Sequence, residues 1–337
     1  MSATTQEPKV TARSQRMAVP AGQSIIADVL EQPLLRGKDV IGIEHFNEEE
    51  LLLMLDVAKR LKLSKFDATQ TLFAKGQTLA MLFEKPSLRT RVTFEAGMTQ
   101  LGGNAIYLEG KLGERELVSD VAHNLERWVD GIMARTFDHE TITSLAKHAN
   151  VPVVNGLSDQ EHPCQALADF QTLIEHKGSH KGVKLAYIGD ANNVANSLML
   201  MAATLGTDFA IACPAHYQPN ATVWMKVMQL AAKSGAKMTL THDPIEAATD
   251  ADAIYTDVWT SMGQEAESEK REKAFAGFQV NKALVSHAKK DAIVMHCLPA
   301  HRGLEISADV IDGPQSVVFD QAENRLHAQK AILALVL

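Results

Sequence analysis

The chain has 337 residues, which corresponds to about two domains at the usual size of roughly 150 residues. With 46% hydrophobic residues it can bury a sizeable core, and a formal net charge of −8 argues against a surface for nucleic acid. No run of about 20 apolar residues is present, which excludes a membrane span, and three widely separated cysteines exclude a disulfide framework. We therefore expect a cytoplasmic protein that binds neither nucleic acid nor a membrane.

The first 33 residues are polar and irregular, and they lack the apolar core of a signal peptide. Lys9, Arg13 and Arg16 are basic residues of the kind found in organelle transit peptides. The acidic Glu7 in the same stretch weakens that interpretation. We predict that residues 1–33 form a flexible or helical N-terminal extension, with a targeting segment as the open alternative.

The first compact unit begins near residue 34. Asn47 followed by Glu50 three positions later is the pattern of a capping box, and apolar residues at helical spacing come after it. The unbroken apolar run at 78–83 predicts a buried parallel strand. The predicted elements of this unit are a helix after Asn47, a strand at 78–83, a helix that ends at 102–103, and strands at 131–134 and 151–154.

A second series of alternating helices and strands follows. It begins with a helix at Pro163, since proline favours the first position of a helix. Strands that alternate with helices indicate parallel sheets joined by right-handed crossovers. The predicted strands lie at 184–189, 208–213, 237–241, 253–256 and 292–297, and the predicted helices at 195–205, 221–234 and 322–337.

This alternation predicts an α/β fold with two domains. Each domain has a central parallel sheet flanked by helices, and interdomain helices join the two domains. The pattern divides the two units somewhere near residues 155–182. We place the first domain at 34–155 together with the C-terminal helix 322–337, and the second domain at 156–321.

Ligands in open α/β sheets bind where the strands end, so the residues after each strand are the candidates for a site. Ser87, Arg89 and Thr90 follow the strand at 78–83 and open a helix, where free N–H groups and a guanidinium suit a phosphate. The alternative is a serine cap with solvated arginines. Arg135 follows the next strand, where a surface salt bridge is the alternative.

Further polar residues follow the remaining strands. His162 and Gln165 lie in the first turn of one helix and can face the same anion pocket. Three other candidates each have a simple alternative: Asn193 as a helix cap, Asp257 in an ordinary turn and Cys297 as a small buried hydrophobe. Arg325, at the start of the last predicted helix, is the remaining candidate. The turn at 189–193 lacks the glycine fingerprint of a dinucleotide site, which counts against a dehydrogenase.

Four blocks of these residues, taken in order, resemble the aspartate/ornithine carbamoyltransferase family. They are the blocks at 83–91 (FEKPSLRTR), 162–165 (HPCQ), 257–263 (DVWTSMG) and 296–299 (HCLP). The last two are similar to the members that act on ornithine rather than on aspartate, and the resemblance covers about residues 34–337. Leu88 departs from the pattern, because the commonest residue there is threonine, so we expect only its main chain to contribute.

The resemblance implies transfer of the carbamoyl group of carbamoyl phosphate to the δ-amine of L-ornithine, which gives L-citrulline and phosphate. The implied ligands of carbamoyl phosphate are Ser87, Leu88, Arg89, Thr90, Arg135, His162, Gln165, Cys297, Leu298 and Arg325. The implied ligands of ornithine are Asn193, Asp257, Ser261 and Met262. The implied catalytic residues are Arg89, Arg135, His162, Cys297 and Arg325. Family members need neither a metal nor an organic cofactor and assemble as a homotrimer or a multiple of it.

Three other functions stay open as alternatives. A sister carbamoyltransferase would act on another amine, such as putrescine, N-acetylornithine or aspartate. A nucleotide-binding dehydrogenase would use the strand–turn–helix near residue 189, and a non-enzymatic paralogue would bind ligand without turnover. The motifs do not distinguish synthesis of arginine from its degradation.

Overall fold

The computed structural model of the chain describes Val29 and residues 35–65, 67–260 and 265–337. Apart from Val29, the predicted N-terminal extension at 1–33 lies outside the described residues, and so do Ser261 and Met262. Within the described ranges, none of the helices combines the length and the apolar character needed to cross a bilayer.

The first sheet has four parallel strands in the spatial order β2-β1-β3-β4. The strands are β1 (Thr78–Phe83), β2 (Asn104–Glu109), β3 (Gly131–Arg135) and β4 (Val153–Leu157). The helices of this part are α1 (Glu48–Leu63), α2 (Leu88–Gln100), α3 (Val118–Leu125), α4 (His139–His148) and α5 (Pro163–Lys177). The chain moves outward from β1 to β2 and then returns to β3, so the strand order reverses between β1 and β3.

The second sheet has five parallel strands in the order β7-β6-β5-β8-β9. They are β5 (Lys184–Ile188), β6 (Asp208–Ala212), β7 (Met238–Thr241), β8 (Ala253–Thr256) and β9 (Ile293–His296). The helices here are α6 (Asn193–Leu205), α7 (Ala221–Ser234), α8 (Pro244–Ala248), α9 (Ser268–Ala274), α10 (Lys282–Val285), α11 (Ala308–Ile311) and α12 (Val318–Val336). The strand order reverses between β5 and β8, which gives this sheet its own crevice for a ligand.

The last helix, α12, packs against α5, α1 and α2 rather than on the outer face of the second sheet. Its end is tied to the first part of the chain, because the Gly37 N–H donates to the Val336 carbonyl at 2.9 Å. The largest apolar core runs from β1 through α5 and α12 to β5, so the two sheets share one continuous interior.

The structure confirms the predicted fold class and adds elements that the sequence pattern did not indicate. The strand β2 and the helices α3 and α4 were not predicted. Alternate side chains of β2 are exposed because it is the edge strand, so it lacks the apolar run of a buried strand. The predicted strand at 151–154 instead spans Val153–Leu157, because Pro152 has no N–H to pair.

Candidate active site

A cleft of about 750 Å³ lies between the carboxyl ends of the two sheets. The structure brings most of the predicted site residues together in its walls. Those that line it are Ser87, Arg89, Thr90, Arg135, His162, Gln165, Asn193, Asp257, Cys297, Leu298 and Arg325. Leu88 is not among them, and its side chain is 76% exposed.

The first turn of α2 forms one end of the cleft. Ser87 caps the helix, and its Oγ accepts the Thr90 N–H at 3.3 Å. The guanidinium of Arg89 donates to the Leu298 carbonyl across the cleft. Arg91 instead lies over the Tyr107 ring, 3.8 Å from its centroid, and pairs with a glutamate on its own helix. Only the first of the two arginines in this turn therefore faces the cleft.

His162 is buried at the start of α5, where Pro163 occupies the first helical position. Its main-chain N–H donates to the Ser197 Oγ at 2.9 Å, which fixes the chain just before the helix. Burial, together with the positive charges of Arg325 and Arg135, holds the pKa of His162 well below its usual 6.5. The imidazole is therefore neutral, and it can hydrogen-bond a carbonyl oxygen without carrying charge.

Gln165, one turn into α5, is held between two charged side chains. Its Oε1 accepts from Arg325 Nη1 at 2.5 Å, and its Nε2 donates to Asp169 Oδ1 at 2.7 Å. Arg325 Nη2 also donates to Thr90 Oγ1 at 3.2 Å, so α12, α5 and α2 are joined at one point. Sequence reasoning missed Asp169, although its position four residues after Gln165 places both on one helix face.

Positive charge is concentrated at this end of the cleft. Burial lowers the pKa of Arg135 to about 10, with added repulsion from Arg325 and Arg89. Lys85 lies 4.7 Å from the Phe137 ring centroid, and burial lowers its pKa to about 8. Guanidinium groups stay protonated near neutral pH, so this end of the cleft matches a small anion. Lys85 belongs to the block at 83–91, but its role was not predicted.

The opposite end of the cleft is acidic and amide-rich. Asp257 Oδ2 accepts from Asn192 Nδ2 at 2.8 Å, and its Oδ1 accepts from the Cys297 Sγ at 3.0 Å. Asn192 also caps α6, whereas the Asn193 Nδ2 donates to the Ser158 carbonyl at 2.6 Å. Burial and the adjacent Asp257 raise the pKa of the Cys297 thiol well above 9, so it is a thiol and not a thiolate.

Asp257, His296 and Cys297 have ligand atoms within 4.8 Å of one another, which is a spacing that could hold a metal ion. However, His296 Nδ1 already accepts the Leu298 N–H at 2.9 Å, and its Nε2 lies 3.1 Å from Glu305 Oε1. Binding of a metal through His296 would have to break one of these two contacts.

Two protein-family models match the chain. Residues 38–175 match the carbamoyl-P binding domain of aspartate/ornithine carbamoyltransferase, and residues 181–336 match its Asp/Orn binding domain. The models meet between 175 and 181, whereas the boundary we predict at 155/156 stays a prediction.

Individual relatives match along almost their whole length. The ornithine carbamoyltransferase of Thermococcus kodakarensis is 55% identical over 90% of this chain and 97% of its own. An anabolic ornithine carbamoyltransferase of Pyrococcus furiosus is 54% identical with the same coverage of both chains. A solved structure of ornithine carbamoyltransferase from Pyrococcus furiosus covers 90% of this chain and 97% of its own, with a TM-score of 0.87 and 54% identity. With both family models matched in order, the chain belongs to the aspartate/ornithine carbamoyltransferase family.

Proposed function

We propose that this enzyme transfers the carbamoyl group of carbamoyl phosphate to the δ-amine of L-ornithine, giving L-citrulline and phosphate. The observation that carries the proposal is the polarity of one cleft, with Arg89, Arg135 and Arg325 at one end and Asp257 at the other. An anionic donor and a cationic amino acid fit these two ends. The ornithine carbamoyltransferases to which the chain is similar support the same assignment.

The phosphate of the donor occupies the first turn of α2. Ser87, Thr90 and the main chain of Leu88 supply polar groups there, and Arg89 and Arg135 supply charge. The carbamoyl group lies deeper, against a second set of residues. That set comprises His162, Gln165, Arg325, Cys297 and the Leu298 carbonyl.

Ornithine binds at the acidic end. Asp257 and Asn193 hold the α-amino and α-carboxylate groups, together with Ser261 and Met262, which the family motif assigns. This arrangement directs the δ-amine towards Cys297 and the carbamoyl carbon. Because the two substrates meet in one cleft, the attack becomes effectively intramolecular.

The chemistry needs a neutral amine, whereas a free alkylamine has a pKa of about 10.4. Desolvation in the cleft lowers that pKa, and the leaving phosphate accepts the proton, so no protein base is required. As the amine attacks, negative charge develops on the carbonyl oxygen. Arg89, Thr90, His162 and Arg325 are the donors that stabilise it.

The exposed apolar surface beside the first sheet supports the proposed assembly. Leu88 is 76% exposed and Val92 52% exposed on α2, and Ile106 is 47% exposed on the edge strand β2. A homotrimer, or a multiple of it, would bury this surface. The composition supports a cytoplasmic location. We assign residues 34–155 with 322–337 to the carbamoyl-phosphate domain and residues 156–321 to the ornithine domain.

The test is a colorimetric assay for ureido products with carbamoyl phosphate and four amines. Ornithine, putrescine, N-acetylornithine and aspartate are compared in parallel. We expect a strong preference for ornithine. Turnover of another amine would leave the assignment of the anion end to carbamoyl phosphate intact and would overturn the assignment of Asp257 to ornithine. No turnover of any amine by folded protein would favour a non-enzymatic paralogue.

A further inference from the structure

The turn after β9 carries a main-chain carbonyl that faces the cleft. Leu298 has a φ of +59°, a conformation that non-glycine residues rarely adopt. Its carbonyl accepts a hydrogen bond from Arg89 on the opposite wall. Such a conformation persists only where surrounding contacts hold it, so the groups that fix Leu298 bear on the geometry of the site.

His296 provides one of those contacts. Its Nδ1 accepts the Leu298 N–H at 2.9 Å, and its own main-chain N–H donates to Gln321 Oε1 at 2.9 Å. Because an amide N–H can only donate, Nδ1 carries no proton, and the proton of the neutral ring is on Nε2. The hydrogen bond from Leu298 therefore identifies the tautomer of His296 as the one with its proton on Nε2.

Glu305 provides the partner on the other side of the ring. Its Oε1 lies 3.1 Å from His296 Nε2 and also accepts the His301 N–H at 2.5 Å. The side chains of His296 and Glu305 are both fully buried. Neither of them lines the cleft, so they do not touch a substrate there.

We infer that His296 and Glu305 are positioning residues: Glu305 fixes the tautomer and orientation of His296, and His296 holds the Leu298 carbonyl against the carbamoyl-phosphate end of the cleft. The inference rests on the proposed function, since it assigns the Leu298 carbonyl to the carbamoyl group. Sequence reasoning did not indicate it, because Glu305 lies nine residues beyond His296 in an irregular segment.

The test compares two substitutions of His296, each of which replaces the ring by an amide group near the position of one ring nitrogen. Asparagine at 296 places an acceptor near the Nδ1 position, whereas glutamine places a donor near the Nε2 position. We expect His296→Gln to raise the Kd for carbamoyl phosphate by about tenfold, as expected for one lost hydrogen bond, and to lower kcat. His296→Asn should stay within about threefold of wild type, because it keeps the acceptor for Leu298. Binding is measured by calorimetry, which needs no acceptor amine.

A second pair of variants tests the carboxylate. Glu305→Ala should resemble His296→Gln, whereas Glu305→Gln keeps an acceptor at Oε1 and should restore most of the affinity and kcat. The ornithine KM should move less than kcat in each variant. Arg302→Gln is the matched control, since it breaks an exposed pair with Asp312 in the same segment and should change neither constant.

Two results would overturn the inference. One is an equal loss of carbamoyl-phosphate affinity in His296→Asn and His296→Gln. The other is a lowered Tm in Glu305→Ala with kcat and affinity unchanged, which would leave a purely structural role. By contrast, carbamoyl-phosphate binding without citrulline formation by the wild type would count against the proposed function alone, because the calorimetric comparison would still stand.

Discussion

The two ends of the cleft are built in different ways. At the carbamoyl-phosphate end, side chains from α2, α5 and α12 bond to one another, so that Arg325, Gln165 and Thr90 form one connected set. At the ornithine end, Asp257 accepts hydrogen bonds from two side chains, those of Asn192 and Cys297, on the turns after β5 and β9. The first end combines several arginines with a connected set of hydrogen bonds, whereas the second end is centred on the Asp257 carboxylate between short turns. We therefore expect substitutions at the first end to remove catalysis and those at the second to change substrate affinity.

The largest effect should come from removal of a cation at the anion end. Arg89→Ala should lower kcat/KM by about a thousandfold, because this guanidinium binds the donor and stabilises the developing charge. Steady-state kinetics with both substrates measure the loss. Arg91→Ala is the matched control: it removes an arginine from the same helical turn that faces Tyr107 instead of the cleft. If Arg89→Ala kept a kcat/KM near that of wild type, the anion site would be wrongly placed.

A smaller and more selective effect is expected at the other end. Asp257→Asn keeps the shape of the side chain and its contact with Cys297 but removes the charge that would meet the ornithine amine. The ornithine KM should rise by about a hundredfold, whereas the Kd for carbamoyl phosphate should stay within about twofold. Equal changes in both constants would show that the two ends are not separate.

A buried carboxyl, that of Glu161, directly precedes His162 in the chain. Its Oε2 accepts from the Ile43 N–H at 3.0 Å and from the Ser197 Oγ at 2.8 Å. Burial raises its pKa from 4.5 to about 7. Because the folded state then holds a proton that the unfolded state releases, this group makes the free energy of unfolding decrease as pH rises from 4.5 to 7.

Glu161→Gln should remove that contribution, which amounts to at most about 3.5 kcal/mol at 1.4 kcal/mol per pKa unit. Denaturant unfolding at several pH values between 5 and 7 measures it. The variant should show a shallower loss of stability with pH than the wild type. Asp169, whose pKa burial also raises to about 7, remains as a second source of the slope. An unchanged slope in Glu161→Gln would assign the effect to other groups.

The smallest effect is expected at Leu88. Leu88→Thr introduces the residue commonest in the family pattern, yet the side chain at this position is exposed and does not line the cleft. The Kd for carbamoyl phosphate should therefore change by no more than about threefold, as calorimetry can determine. A larger gain in affinity would mean that a hydroxyl at 88 reaches the phosphate when the substrate is bound.

The sequence predicts buried strands and capped amphipathic helices better than the exposed edge strand. The helix α7 and the strands β1 and β8 have the predicted bounds, because a buried strand or a capped amphipathic helix leaves a clear pattern. The edge strand β2 leaves none, since four of its six side chains are exposed and none is fully buried.

Prediction of the site residues from the sequence has a related limit. Residues that follow strands could be predicted as a group, because parallel strands bring their carboxyl ends to one edge. The side chains that support these residues from outside the cleft could not be predicted, because their contacts join segments that are distant in sequence. The Gln321 Nε2, for example, donates to Asp169 Oδ1 at 2.6 Å across 152 positions of sequence.

The packing of α12 against the helices of the first sheet has a consequence for how the chain folds during translation. The core beside α1, α2 and α5 is completed by a helix that the ribosome makes only after the whole second sheet. During translation, the nascent first half therefore has its strands but lacks one wall of its core and the guanidinium of Arg325. The order of synthesis thus makes the anion end one of the last parts of the molecule to be completed, and the apolar surface that α12 covers stays exposed until then.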